Sequence, residues 1–361
     1  MRMWSMLLGT VIGAVLSGCT GAGFGTPPTE TASNGALAPP LVPAWAQPAG
    51  TKRLRLGERI VREASSRGIY ASDLYGAGSY GQGFVAGYSG ANKRNKPAAC
   101  TIIAPSAGSI DVDPAGDLVV PGEFGVSYQP EVNVYQGPGL CGPLIGSLVI
   151  TTGNRPVAAR SLHPRTGKIV VAEDSVYGSG GPGGLVVCTI AAGCGEPLRR
   201  PNVQGGALGV ALAKNGDCWM SAEEYEYYNP PGSATLAYFK HCQGSGKTAT
   251  GYQNPYFGSL FFDRQGNLGA ISAIDGALYV YKGCNPACTL VGGPFALQGI
   301  STGAGLNKGG NELAVGDLGN EAVDIYAYTP TSLTYLYSIN NGLNFTESSL
   351  SGAAFSPASE Q

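Results

Sequence analysis

From residue 68 onward, short apolar runs alternate with glycine turns, and the spacing of the turns repeats. Gly68, Gly116, Gly167, Gly216, Gly266 and Gly310 follow one another at intervals of 48, 51, 49, 50 and 44 residues. A tight hairpin requires positive φ, which a β-carbon penalises, so glycine marks each turn. Brief apolar strands precede five of these turns: Ile110-Asp111-Val112, Arg160-Ser161-Leu162, Val210-Ala211-Leu212, Leu260-Phe261-Phe262 and Ala304-Gly305-Leu306. A second strand follows each turn. A third recurs as Val132-Asn133-Val134-Tyr135, Leu185-Val186-Val187, Leu236-Ala237-Tyr238-Phe239, Leu278-Tyr279-Val280-Tyr281 and Val323-Asp324-Ile325-Tyr326, and a weaker fourth completes the unit. Four antiparallel strands in a period of about 45 residues predict one blade of a β-propeller.

The two ends of the repeat complete each other. The first unit opens on Ile69-Tyr70-Ala71-Ser72-Asp73, already a second strand, whereas Ala353-Ala354-Phe355 is a first strand left over at the C-terminal side. Pairing them predicts an all-β, six-bladed propeller of four-stranded antiparallel blades over 68–361, closed by its N- and C-terminal strands. Closure removes the open sheet edge that a long β-protein must otherwise protect.

Composition agrees with turn-rich β-structure: 57 glycines accompany only 13% charged residues. A formal net charge of -2 leaves no footprint for nucleic acid. Ahead of the repeat, an apolar run from Trp4 to Leu16 follows Arg2 and ends in Leu16-Ser17-Gly18-Cys19. This resembles a bacterial lipobox: residues 1–18 are expected to be a lipoprotein signal peptide, and Cys19 the acylated (palmitate-bearing) first residue of the mature chain. Residues 19–50, rich in Pro, Ala and Thr, read as a flexible tether. Residues 51–67 form a basic amphipathic segment, in which Lys52, Arg53, Arg55, Arg59, Arg62 and Arg67 face only Glu58 and Glu63. The expected location is the cell envelope, attached to a membrane through lipid on Cys19, and Thr20 after the cysteine points to the outer membrane.

With Cys19 assigned to lipid, eight of the nine cysteines remain, an even set that reads as disulfides in an exported protein. On the blade map Cys218 and Cys242 face each other across a hairpin. Cys188 with Cys194, and Cys284 with Cys288, tie the ends of tight connections, which leaves Cys100 and Cys141 on neighbouring blades. A zinc site is not supported, because the chain holds two histidines and neither lies near Cys284 and Cys288 in sequence.

Phrases such as Gly266-Asn267-Leu268 and Val315-Gly316-Asp317, with the period, give the chain from about Gly68 to Gln361 a resemblance to six-bladed NHL-type and gluconolactonase-like propellers of bacterial envelopes. The resemblance implies one metal held by Glu, Asn and Asp near the axis. Acidic residues recur where the second strands end: Asp73, Glu123, Glu173 with Asp174, Glu223 with Glu224, and Asp317. Two readings stand side by side: each carboxylate caps its own following turn, or several converge on a divalent cation such as calcium. No other cofactor is expected.

The connections between second and third strands differ among blades. They are short around Ile274-Asp275-Gly276 and Leu318-Gly319-Asn320-Glu321, and are read as long and rich in Tyr and Gly in blades I to IV, with Tyr75, Tyr80, Phe124, Tyr128, Tyr177, Tyr225, Tyr227 and Tyr228. Tyrosine offers a large apolar body with a polar tip at low entropic cost, which suits a peptide, protein or glycan surface. His163 and His241 have no serine or cysteine partner identifiable in the sequence, and Gly178-Ser179-Gly180-Gly181-Pro182-Gly183-Gly184 lacks the Gly-Lys-Ser/Thr ending of a phosphate loop. The expectation is therefore a binding module rather than an enzyme. The alternatives are a divalent-metal lactonase or lyase at the acidic mouth, and a structural spacer.

Overall fold

The structure, a computed structural model, describes residues 68–73, 83–90, 93–124, 129–152, 154–174, 183–198, 207–223, 234–253, 257–273, 275–343 and 350–357. These form six four-stranded antiparallel sheets with almost no helix, a six-bladed propeller. Blade I is assembled from both ends of the repeat: β24 (Leu350–Ser356) is innermost, followed outward by β1 (Gly68–Asp73), β2 (Phe84–Ser89) and β3 (Cys100–Ile103). Ile69 lies opposite Phe355 and Ala71 opposite Ala353. Blade II comprises β4 (Asp111–Val112), β5 (Leu118–Phe124), β6 (Gln129–Tyr135) and β7 (Leu144–Val149), and blade III β8 (Arg155–Ser161), β9 (Ile169–Asp174), β10 (Gly184–Thr189) and β11 (Gly193–Cys194). Blade IV comprises β12 (Ala207–Leu212), β13 (Cys218–Glu223), β14 (Ala234–Phe239) and β15 (Lys247–Thr248), and blade V β16 (Phe257–Phe262), β17 (Leu268–Ser272), β18 (Ala277–Gly283) and β19 (Cys288–Ala296). Blade VI comprises β20 (Ser301–Leu306), β21 (Glu312–Asp317), β22 (Ala322–Thr329) and β23 (Ser332–Ile339).

Both faces of each blade are buried, so alternate residues of one strand serve two neighbours. In β9, Ile169 and Val171 pack with Val119, Val132 and Val134 of blade II, while Val170 and Ala172 pack with Val210 and Met220 of blade IV. One apolar layer of this kind fills each of the six blade interfaces. This explains why the strands read as unbroken apolar runs rather than as an alternation.

Disulfides join Cys100 to Cys141 between blades I and II, and Cys188 to Cys194, Cys218 to Cys242 and Cys284 to Cys288 within blades III, IV and V. Beside the first, the Tyr70 hydroxyl accepts the Cys141 N–H at 2.8 Å. Other interfaces have polar ties of their own. Arg165 holds Asp117 across blades II and III, Trp219 Nε1 donates to the Cys284 carbonyl across IV and V at 2.7 Å, and the Tyr328 hydroxyl donates to Asp263 across VI and V at 3.1 Å.

The inner strands leave a row of backbone groups facing the axis, which need partners if water is excluded. Small residues let these strands approach: a β-carbon on Gly352 would stand 2.9 Å from Ser109 Cα, and one on Gly303 2.6 Å from Gly352 Cα. Blades II and III bond directly there, with the Ser109 N–H donating to the Val157 carbonyl at 2.7 Å. Arg160 fills what remains. Its guanidinium donates to the carbonyls of Ile110 at 2.9 Å, Leu260 at 3.1 Å and Ala304 at 2.8 Å, and so joins blades II, III, V and VI across the axis. Its counter-charge is Asp111, 3.7 Å away, and both side chains are buried. Arg160 occupies the repeat position held by Ile110, Val210, Leu260, Ala304 and Ala353 in the other blades. It is a plug for the central channel, unforeseen in the strand Arg160-Ser161-Leu162.

Candidate functional site

Because strands alternate in direction, the ring has two unlike ends. Hairpins between first and second strands, and turns between third and fourth, lie at one end, here called the hairpin end. Connections from second to third strands, and from each blade to the next, lie at the other, the loop end.

At the loop end, four residues separate the second and third strands in blades V and VI, 273–276 and 318–321. Blades I, III and IV have ten, nine and ten, 74–83, 175–183 and 224–233. Blade II departs from the sequence reading: its connection is residues 125–128 alone, as short as those of blades V and VI. The reason is that β5 runs on to Phe124, which is buried against the layer between blades I and II instead of standing in a loop. The asymmetry thus belongs to three blades, not four. Tyr75, Tyr80, Tyr128, Tyr177, Tyr225, Tyr227 and Tyr228 all lie outside the described residues, as do Cys19 and residues 1–67.

The acidic residues at the strand exits have separate surroundings. Asp317 is buried and accepts the N–H groups of Gly319 at 2.9 Å and Asn320 at 3.1 Å, with the Asn320 side-chain amide at 2.7 Å, so it caps its own turn. Glu173, also buried, accepts the Thr152 hydroxyl at 2.7 Å. Asp73 is buried opposite Leu350, and Glu123 is half-buried. The side chain of Glu223 lies outside the described residues. Calcium takes six to eight oxygens, roughly, in one cluster. Among the described residues no three His, Cys, Asp or Glu side chains come together.

A carboxyl pair stands out in blade VI. Asp324 is buried, accepting the Ser338 hydroxyl at 2.6 Å and the Tyr326 hydroxyl at 3.4 Å. Burial first, then the Asp317 carboxylate beside it, push Asp324 up to about 6. Asp111 is likewise raised to about 6 by burial, against the pull of Arg160. Neither role was read from the sequence, although a lone carboxylate inside the apolar strand Val323-Asp324-Ile325-Tyr326 is a usable signal.

A folded-state pKa raised above the ordinary carboxylate value of about 4 gives stability that is complete below that value and is lost as pH rises through the folded pKa. Asp217, lowered chiefly by hydrogen bonds from His241 N–H and Tyr238 against its burial, loses its contribution only below that window. The melting temperature is therefore expected to rise between pH 7 and pH 5, and Asp324→Asn should flatten that rise in a thermal melt. A melting temperature that falls steadily over this range contradicts the assignment.

His163 and His241 belong to the hairpin end. Their Nδ1 atoms stand 4.0 Å from Asp113 and 3.4 Å from Asp217, carboxylates already bonded within their turns. Neither forms part of the loop-end mouth.

No family model matches the chain, and no curated protein matches its sequence. Solved structures do match its fold. The periplasmic gluconolactonase PpgL of Pseudomonas aeruginosa shares 16% identity over 80% of this chain and 99% of that chain, with a TM-score of 0.53. A chain of the nidogen/laminin complex shares 9% over 80% and 98%, with a TM-score of 0.56. A protein of unknown function from Bacteroides caccae shares 11% over 80% and 98%, with a TM-score of 0.50. At these identities the likeness is one of fold, and propellers host many unrelated functions.

Proposed function

We propose that this protein is a lipid-anchored propeller of the cell envelope that binds a peptide, protein or glycan through the loop end of blades I, III and IV. The observation that carries the reading is the difference in connection length, ten, nine and ten residues against four in the other three blades. Loops that exceed what closing a blade requires are where binding residues concentrate on a rigid scaffold. The long connections contain Tyr75, Tyr80, Tyr177, Tyr225, Tyr227 and Tyr228, residue types that anchor recognition surfaces.

The test is capture from detergent-solubilised envelope. The chain carrying Tyr225→Ala, Tyr227→Ala and Tyr228→Ala is expected to lose most of the partner retained by the parent, at an unchanged melting temperature, because an aromatic anchor at an interface contributes about 2 kcal/mol or more. Equal capture by parent and variant contradicts the reading. Stoichiometric divalent metal in the purified chain, together with lactone hydrolysis, would replace it by a metal-dependent lactonase working at the same mouth.

A further inference from the structure

Exposed positive charge gathers at the hairpin end. Six exposed cations from blades IV, V and VI stand there: Lys214, Lys240, Lys247, Arg264, Lys282 and Lys308. Two grooves join three of them. One, of about 440 Å³, is lined by Lys214, Asn215, Arg264, Gln265 and Gly283; the other, of about 430 Å³, by Arg264, Lys308, Gly68 and Pro357. Arg264 belongs to both, so Lys214, Arg264 and Lys308 lie on one continuous surface across three blades.

Acidic residues are present at this end, but the fold consumes them. Asp263 accepts the N–H groups of Gln265 and Asn267 at 2.9 and 2.8 Å, and Asp217 those of Asn215's side-chain amide and His241 at 2.9 and 2.7 Å. Asp113 accepts the Asp117 N–H at 2.8 Å, and Asp117 is held by Arg165. All four are buried, and Glu312, half-buried, accepts the Asn307 amide at 2.9 Å. Among the described residues, the exposed charges at this end of blades IV to VI are lysine and arginine.

The chain also enters at the hairpin end. Gly68, the first residue of β1, lines the groove that Arg264 and Lys308 line. The sequence just before Gly68, from Lys52 to Arg67, holds six cations and two glutamates. Flexible-chain scaling gives a tether over residues 19–50 a reach of about 30 Å, so a ring anchored at Cys19 would stay close to its membrane.

We propose that the hairpin end of blades IV to VI docks on an anionic phospholipid surface, which turns the loop end and its long connections away from the membrane. Juxtamembrane cations are drawn to anionic lipid within a Debye length of the surface. The proposal takes its partner from the anchoring at Cys19 in the proposed function, yet it is testable without the anchor.

The experiment uses the full chain carrying Cys19→Ser, which cannot be acylated, with sedimenting vesicles of phosphatidylcholine alone or with about one third phosphatidylglycerol, the headgroup whose surface potential the cations would meet. Binding to the anionic vesicles is expected to exceed binding to neutral ones at least tenfold at low salt and to vanish at high salt, about 0.5 M. Adding Lys214→Glu, Arg264→Glu and Lys308→Glu should cut it at least tenfold while leaving the basic segment intact. Three outcomes overturn the proposal: no preference for anionic vesicles, unchanged binding by the triple variant, or retention on the polyanion heparin with none on vesicles. Because acylation and the tyrosine connections are not involved in this readout, its failure leaves the proposed function standing, and failed partner capture leaves this proposal standing.

Discussion

Replacing Arg160 by methionine is expected to cost about 4 kcal/mol of stability, because removing one member of a buried ion pair typically costs about 3–5 kcal/mol. Methionine fills much of the same space but leaves the carbonyls of Ile110, Leu260 and Ala304 without the donors they have on the axis, and leaves the Asp111 carboxylate buried without its cation. Each orphaned acceptor adds a desolvation penalty of about 1–3 kcal/mol, although such terms do not sum. Against a total stability of about 5–15 kcal/mol this is a large fraction. The urea midpoint at pH 7.5 measures it. Asp111→Asn in the Arg160→Met background should recover part of the loss, since it removes the buried charge; a double variant no more stable than the single one would show that the pairing with Asp111 contributes nothing.

Deleting residues 350–361 is expected to abolish the cooperative fold. The cut removes β24, the innermost strand of blade I, and with it the pairing that runs from Gly68–Ser356 to Asp73–Leu350. Leu350, Ala353 and Phe355 also leave the apolar layer between blades VI and I, where they pack with Ile69, Val323 and Ile325. Phe355 and Leu350 alone, buried, account for about 2 kcal/mol each, and the exposed edge of β1 would be open to pairing with other chains. A thermal melt followed by near-ultraviolet circular dichroism reads the outcome. The truncated chain should show no sharp transition; a cooperative melt at the parent temperature means that β24 does not close the ring.

Much of this architecture is legible in the sequence because each blade repeats the same local problem. Glycine at Gly116, Gly216, Gly266 and Gly310 adopts the positive φ its hairpin demands, and a repeated demand leaves a repeated letter. The closure of the ring is legible for a similar reason, since Ile69 to Asp73 lacks a first strand and Ala353 to Phe355 lacks a second. Features that depend on neighbours across the ring left fainter marks. Arg160 looks like one more residue of a short strand until it is set against Ile110, Val210, Leu260, Ala304 and Ala353, where it is the only charge. Phe124 reads as a loop aromatic, although burial against blade I extends its strand and shortens the connection after it. Carboxylates at strand exits read as turn caps or as ligands; Asp317 bonds its own turn, and Glu173 bonds Thr152. The cations at the hairpin end were hidden because a net charge of -2 averages over the whole chain.

If the two ends of the ring do different things, a side-by-side comparison of the two triple variants shows it most directly. Partner capture and sedimentation with anionic vesicles would be measured for Tyr225→Ala/Tyr227→Ala/Tyr228→Ala and for Lys214→Glu/Arg264→Glu/Lys308→Glu. The tyrosine variant should lose the partner and keep the vesicles, and the charge variant should lose the vesicles and keep the partner. Loss of both activities in either variant, at an unchanged melting temperature, would contradict a division of labour between the two ends.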